Sequence, residues 1–197
     1  MAYTRSNRMS TRTMVLGAVM TALVIILQLL GTYTAFFGPF STAPALVPIV
    51  IGAALCGAQV GAWLGLVFGS VVLLTGGAAL FLAFDVPGTL ITVLVKGAAC
   101  GAVTALVFRL LKKWNETVAT IVAAIACPVT NTAVFLLGCY VFFMDSAADI
   151  GAQLGMQQSG MALFWAMAMA NFLIEVGTSA VLAPILLRIL NIKKKLS

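Results

Sequence analysis

The sequence predicts an all-α membrane protein, a bundle of six transmembrane helices with N- and C-termini cytoplasmic. Three observations carry that reading. Stretches of about twenty residues contain no charge, enough to cross the hydrocarbon at about 1.5 Å rise per residue. The composition is 62% hydrophobic and 8% charged over 197 residues, whereas a water-soluble domain carries about a quarter charged residues. The basic residues flank the apolar runs: Arg5, Arg8 and Arg12 precede the first, Arg109, Lys112 and Lys113 close the fourth, and Arg188, Lys193, Lys194 and Lys195 follow the last. Cytoplasmic flanks of membrane spans collect such residues, so the net charge of +6 points to membrane topology and away from nucleic acid. The domain plan is a basic tail over 1–12, one transmembrane domain over 13–190 and a basic tail over 191–197.

Span one covers 13–30. It lacks a small-residue cleavage pattern and more spans follow, so it reads as retained. A glycine- and aromatic-bearing loop follows over 31–42. The apolar run 43–75 is too long for one upright helix. A split near Gly57-Ala58-Gln59 gives spans over 43–57 and 59–75, and a single tilted helix is the rival. Parity favours the split, because two cytoplasmic basic clusters require an even number of spans between them. An outer loop over 76–87 leads to span four at 88–111, where Pro87 suits a first helical turn that has no use for its missing N–H. A cytoplasmic turn over 112–116 places Trp114 at the interface. Span five covers 117–143, an outer loop with Asp145 and Asp149 covers 144–160, and span six covers 161–190.

Gly52, Gly57, Gly61, Gly65 and Gly69 recur every four or five residues. Such spacing lets helix backbones approach closely where water drives no association. It serves either packing within the bundle or a smooth face for another protein. Ala18 and Ala22, with Gly17 and Thr21, form a similar patch in span one.

Polar groups within the spans are the candidate site. Lys96 lies about two turns into span four, a depth at which an ionisable group is costly and either pairs or serves a site. Asn171 and Glu175 share a face of span six. Asn131, between Thr130 and Thr132, forms a polar stripe after Pro128, whose ring releases a carbonyl one turn earlier. These residues expect spans four to six to converge on a polar cavity, with Glu175 either neutralising Lys96 or facing a ligand beside it. Single asparagines also serve as interhelical ties. Phe36, Phe37 and Phe40, with Phe81 and Phe84, either cap the cavity or anchor at the lipid interface.

The four cysteines, Cys56, Cys100, Cys127 and Cys139, lack CxxC spacing and histidine is absent, so no metal site or redox motif is expected. There is no GKS/GKT phosphate loop, HExxH motif, paired-carboxylate site or nucleophile–base pair. No cofactor is expected, and uphill uptake would need an ion gradient or a partner.

The chain resembles the substrate-binding (S) component of energy-coupling-factor (ECF) vitamin transporters over about residues 13–190. The likeness rests on length, the six-span plan, Ala18-xxx-Ala22, the stretch Val47-Pro48-Ile49-Val50-Ile51-Gly52-Ala53, Gly57-xxx-Gly61-xxx-Gly65-Leu66-Val67-Phe68-Gly69, Thr130-Asn131-Thr132 and Asn171-xxx-Glu175. The resemblance implies a prokaryotic cell-membrane subunit that captures a vitamin from outside and hydrolyses nothing. Its partners would be a transmembrane coupling subunit, contacted through Ala18 and Ala22, and two cytoplasmic ATPases. The implied ligand site comprises Phe37, Phe84, Lys96, Asn131, Asn171 and Glu175. The 47–69 stretch looks most like pantothenate-type members, and Lys96 suits a ligand carboxylate. A membrane assembly protein without a ligand and a self-sufficient secondary transporter are the rival readings.

Overall fold

The structure, a computed structural model, describes residues 10–34, 44–158 and 160–195. The described residues form helices without strands: α1 (Thr11–Thr34), α2 (Leu46–Cys56), α3 (Ala58–Leu74), α4 (Ala79–Leu82), α5 (Val86–Leu111), α6 (Glu116–Phe142), α7 (Ala147–Gln153) and α8 (Met161–Lys195). Stretches of α1, α5, α6 and α8 are long and apolar enough to cross a membrane. Arg5, Arg8, Phe36, Phe37 and Phe40 lie outside the described residues.

The long apolar run divides at Gly57, whose φ of 91° is a backbone conformation that costs glycine nothing. The two halves are unequal. With 11 residues, α2 extends only about 16 Å, short of the hydrocarbon thickness. The split at Gly57 predicts a short helix over 43–57, and α2 is shorter still. Leu46, Ile49, Val50 and Ala53 are buried, and α2 packs against α1, α3, α5, α6 and α8. It is a central core helix that touches nearly every neighbour.

Other ends agree with the chain's local chemistry. Pro87 sits in the first turn of α5. Asn115 caps α6, its Oδ1 accepting from the Thr117 and Val118 amides at 2.8 and 3.2 Å, which supplies orphan donors with a partner. Three boundaries differ from expectation. Residues 31–34 continue α1, the connections over 76–87 and 144–160 contain the short helices α4 and α7, and α8 extends through residues 191–195.

The glycine repeat turns inward. A Cβ on Gly61 would meet the Gly101 carbonyl oxygen at 2.5 Å, and one on Gly69 would meet that of Val93 at 2.8 Å. Between them Gly65 and Gly97 face each other so closely that a Cβ on either would overlap the other's carbonyl. The descending order 101, 97, 93 makes α3 and α5 antiparallel, packed backbone to backbone. Gly97 and Gly101 are the half of this ladder that the sequence reading missed. The apolar side chains Val15, Ile26, Leu30, Ile91, Val95, Leu110, Leu137, Val141 and Leu173 face outward. A monomer in water does not sustain such an apolar exterior, so the chain is an integral membrane protein.

Gly65→Val should therefore lower stability in detergent unfolding by about 2 kcal/mol or more. Gly177, with nothing within 4 Å of an added Cβ, is the control: Gly177→Ala should leave stability unchanged or raise it.

Candidate functional site

At the end of the bundle away from the 112–115 turn, a cavity of about 330 Å³ opens between the helices. Its walls come from at least six segments. α1 contributes Gln28, α3 contributes Phe68 and Val72, and the 76–81 segment contributes Phe81. Polar residues enter from α5 (Thr89, Thr92 and Lys96), from α6 (Asn131 and Thr132) and from α8 (Asn171 and Glu175). Lys96, Asn131, Asn171 and Glu175, on three separate helices, thus face one space. The α3–α5 glycine contact positions Lys96 directly, since Gly97 is the next residue.

The charged groups do not pair as the simplest expectation had it. Among the described residues the one ion pair within 4 Å is Lys112–Glu116, at 3.9 Å. Glu175, 5% exposed, instead accepts from Asn131 Nδ2, with 3.2 Å to Oε1 and 3.3 Å to Oε2. This bond ties α6 to α8 inside the bilayer. The Lys96 Nζ lies 5.5 Å from the centroid of the Phe135 ring, within range of a cation–π attraction. Phe135 is held edge-on by Phe81 at 5.6 Å, and Phe81 also meets Phe143 at 5.1 Å. Such T-shaped contacts suit the ring quadrupole.

Four buried side-chain oxygens have no hydrogen-bond partner among the described residues: Gln28 Oε1, Thr92 Oγ1, Asn131 Oδ1 and Asn171 Oδ1. All four residues line this cavity. Each buried and unsatisfied polar group costs about 1–3 kcal/mol, and native interiors keep such groups rare. They concentrate around a single space, beside a lysine with no carboxylate within 4 Å among the described residues. The arrangement can accept hydrogen bonds at several points and offer one positive charge to an anion. It has no nucleophile with an adjacent base, and no group of three or more His, Cys, Asp or Glu that could hold a metal occurs among the described residues.

Two of the expected aromatic residues are not found in the cavity wall among the described residues. Phe37 lies outside the described residues. Phe84 is not in the cavity wall. It packs into the apolar cluster around Phe143, Ile150 and Phe164, while Phe81, three residues earlier, faces the cavity. The 3.6-residue period of a helix distinguishes these positions only when the short α4 turn is recognised, and no sequence signal marks it. Gln28 and Thr92 were also overlooked, as single polar residues in apolar runs. Gly138 has a supporting role: a Cβ there would strike the Thr92 side chain, so its absence lets Thr92 take its place beside the cavity.

Away from the cavity, Ala18 and Ala22 are exposed on α1. Ala18 lines a shallow apolar groove with Gly17, Gln59, Val60 and Trp63, and Trp63 Nε1 donates to Thr21 Oγ1 at 3.3 Å. Cys100, Cys127 and Cys139 are buried thiols outside any disulfide.

Residues 12–187 match the family model described as "ECF transporter, substrate-specific component". No curated protein and no solved structure matches the chain.

The Asn131–Glu175 bond yields a direct expectation. Asn131→Leu should destabilise the protein by about 1–2 kcal/mol. In a double-mutant cycle with Glu175→Leu the two effects should be strongly non-additive, measured by unfolding in detergent.

Proposed function

The chain belongs to the family of ECF transporter substrate-specific components, and from that premise we propose that it captures a vitamin from outside, best matched by pantothenate, and delivers it through a partner coupling module. It is the transport component itself and not an enzyme. The observation that carries the reading is Lys96, with no carboxylate within 4 Å among the described residues, facing a cavity in which Gln28, Thr92, Asn131 and Asn171 each present an unpartnered oxygen. Pantothenate brings one carboxylate, an amide N–H and hydroxyls, a set complementary to that surface. The charge match fixes one end of the ligand at Lys96. Asn131, Asn171 and Glu175 then accept donors along its length, and Phe81 takes the apolar contact first assigned to Phe84. At about 330 Å³ the cavity lies at the small end of ligand pockets, which favours a compact molecule over a vitamin with fused rings.

The topology belongs to the same proposal. Six segments, α1, α2, α3, α5, α6 and α8, alternate in direction, with both termini and the 112–115 turn cytoplasmic in a prokaryotic cell membrane. What supports this is the placement of Arg12, Arg109, Lys112, Lys113 and Arg188 at the ends of helices remote from the cavity, the side on which basic flanks collect. The cavity then opens outward. The coupling subunit, with two ATPase subunits on its cytoplasmic side, would meet the chain at Ala18 and Ala22, where small exposed side chains allow close and reversible helix contact.

Calorimetry of the purified protein should show submicromolar pantothenate binding, with Lys96→Met weakening it by about 30-fold or more, as expected when a buried charge partner is removed. Wild-type protein that takes up no heat-detectable pantothenate would rule out this ligand. Ala18→Trp should leave that affinity within about threefold, under 1 kcal/mol, while abolishing uptake in cells that carry the coupling module; normal uptake would move the partner surface elsewhere.

A further inference from the structure

The cavity's membership has an asymmetry. Its charged and amide residues on α5, α6 and α8 are already joined to one another by helix packing and by the Asn131–Glu175 bond. α1 packs chiefly against α2 and α3. Among the described residues it sends a single side chain to the cavity, that of Gln28.

Gln28 is an unusual residue at that position. It is 2% exposed, lies on the inward face of α1 with the fully buried Val24 one turn before it, and its Oε1 has no partner. An apolar residue of similar size would fill the same place without a desolvated amide. One turn later the Thr32 hydroxyl donates to the Gln28 carbonyl at 3.0 Å and to Thr75 Oγ1 at 3.3 Å. This end of α1 is thus fastened to the end of α3, which fixes the backbone that carries Gln28 at the cavity wall. A polar group that is buried, positioned and unpartnered in the empty protein gains its partner only when something enters the cavity.

We propose that Gln28 is a ligand-binding residue, the contact through which a bound molecule holds α1 to α5, α6 and α8. This rests on the cavity being the ligand site, as proposed above, and adds a residue and a consequence to it. A ligand anchored at Lys96 and accepted by Gln28 spans the two halves of the bundle. Filling the cavity therefore restrains the same helix that exposes Ala18 and Ala22, and the partner face senses occupancy through one rigid element.

The test compares Gln28→Leu with wild type and with Lys96→Met, using pantothenate as the probe. The ligand-free Tm of Gln28→Leu should equal or exceed that of wild type, because a buried unsatisfied amide is replaced by an apolar side chain. Its affinity for pantothenate should fall by about tenfold. Hydrogen–deuterium exchange along α1 should slow on adding pantothenate to wild type and not to Gln28→Leu at a concentration that saturates both. A lower ligand-free Tm with unchanged affinity would make Gln28 a structural residue and overturn the inference. Equal slowing of α1 in both proteins would overturn the tether. If Lys96→Met weakens binding and Gln28→Leu does not, the inference fails while the proposed function stands. If neither weakens binding, or wild type does not bind pantothenate, the proposed function fails and Gln28's role with it.

Discussion

The close approach of α3 and α5 is the constraint on which the remaining architecture depends. Gly61, Gly65 and Gly69 on one helix face Val93, Gly97 and Gly101 on the other, carbonyl against α-carbon. In a bilayer no hydrophobic effect draws helices together, so association relies on packing that larger side chains would prevent. This contact sets the depth and orientation of Lys96, the neighbour of Gly97. The short α2 packs beside this contact, against both α3 and α5, and touches five helices. Close backbone packing in one half and a half-length helix at the centre leave an unfilled space toward the end away from the 112–115 turn, lined by residues from several helices.

That space is where the bundle departs from a fully satisfied interior. Elsewhere the buried polar groups are accounted for locally. Thr104 Oγ1 donates to the Cys100 carbonyl at 2.6 Å and Thr120 Oγ1 to that of Glu116 at 2.8 Å, the return bond to the preceding turn that lets a hydroxyl lie in an apolar helix. Around the cavity this economy stops. Gln28, Thr92, Asn131 and Asn171 each keep an unpartnered oxygen, and Lys96 has an aromatic face rather than a carboxylate beside it. A protein built only to pack would have closed these groups on one another. Their shared orientation toward one cavity supports the proposed ligand site, where the stabilising interaction would come from the complex rather than from the empty protein. Glu175 is the exception, held in place by Asn131, and that bond keeps α6 and α8 in register while the cavity is empty.

Much of this plan was legible in the sequence because a helix in lipid is a one-dimensional problem in depth. Length, the absence of charge and the basic flanks delimit the long helices. Gly57 marks the break between α2 and α3, since its φ of 91° is open to glycine and strained for other residues. Pro87 and Asn115 mark two helix starts through the orphan donors of a first turn. Lys96, Asn131, Asn171 and Glu175 stand out because an ionisable or amide side chain at such depth needs a reason.

What tertiary structure alone decided is direction around the helix axis. Spacing tells that Asn171 and Glu175 share a face but not which neighbour that face meets, so Glu175 took Asn131 as its partner instead of Lys96. The glycine repeat could have faced a second protein or a second helix; only the position of Gly97 and Gly101 turned it inward. Phe81 rather than Phe84 reaches the cavity because a single short helical turn rotates one ring toward it and the other away. Gln28 was invisible for the same reason: one amide in an apolar run has a depth in the sequence, and acquires a meaning only when the packed helices show which way it points.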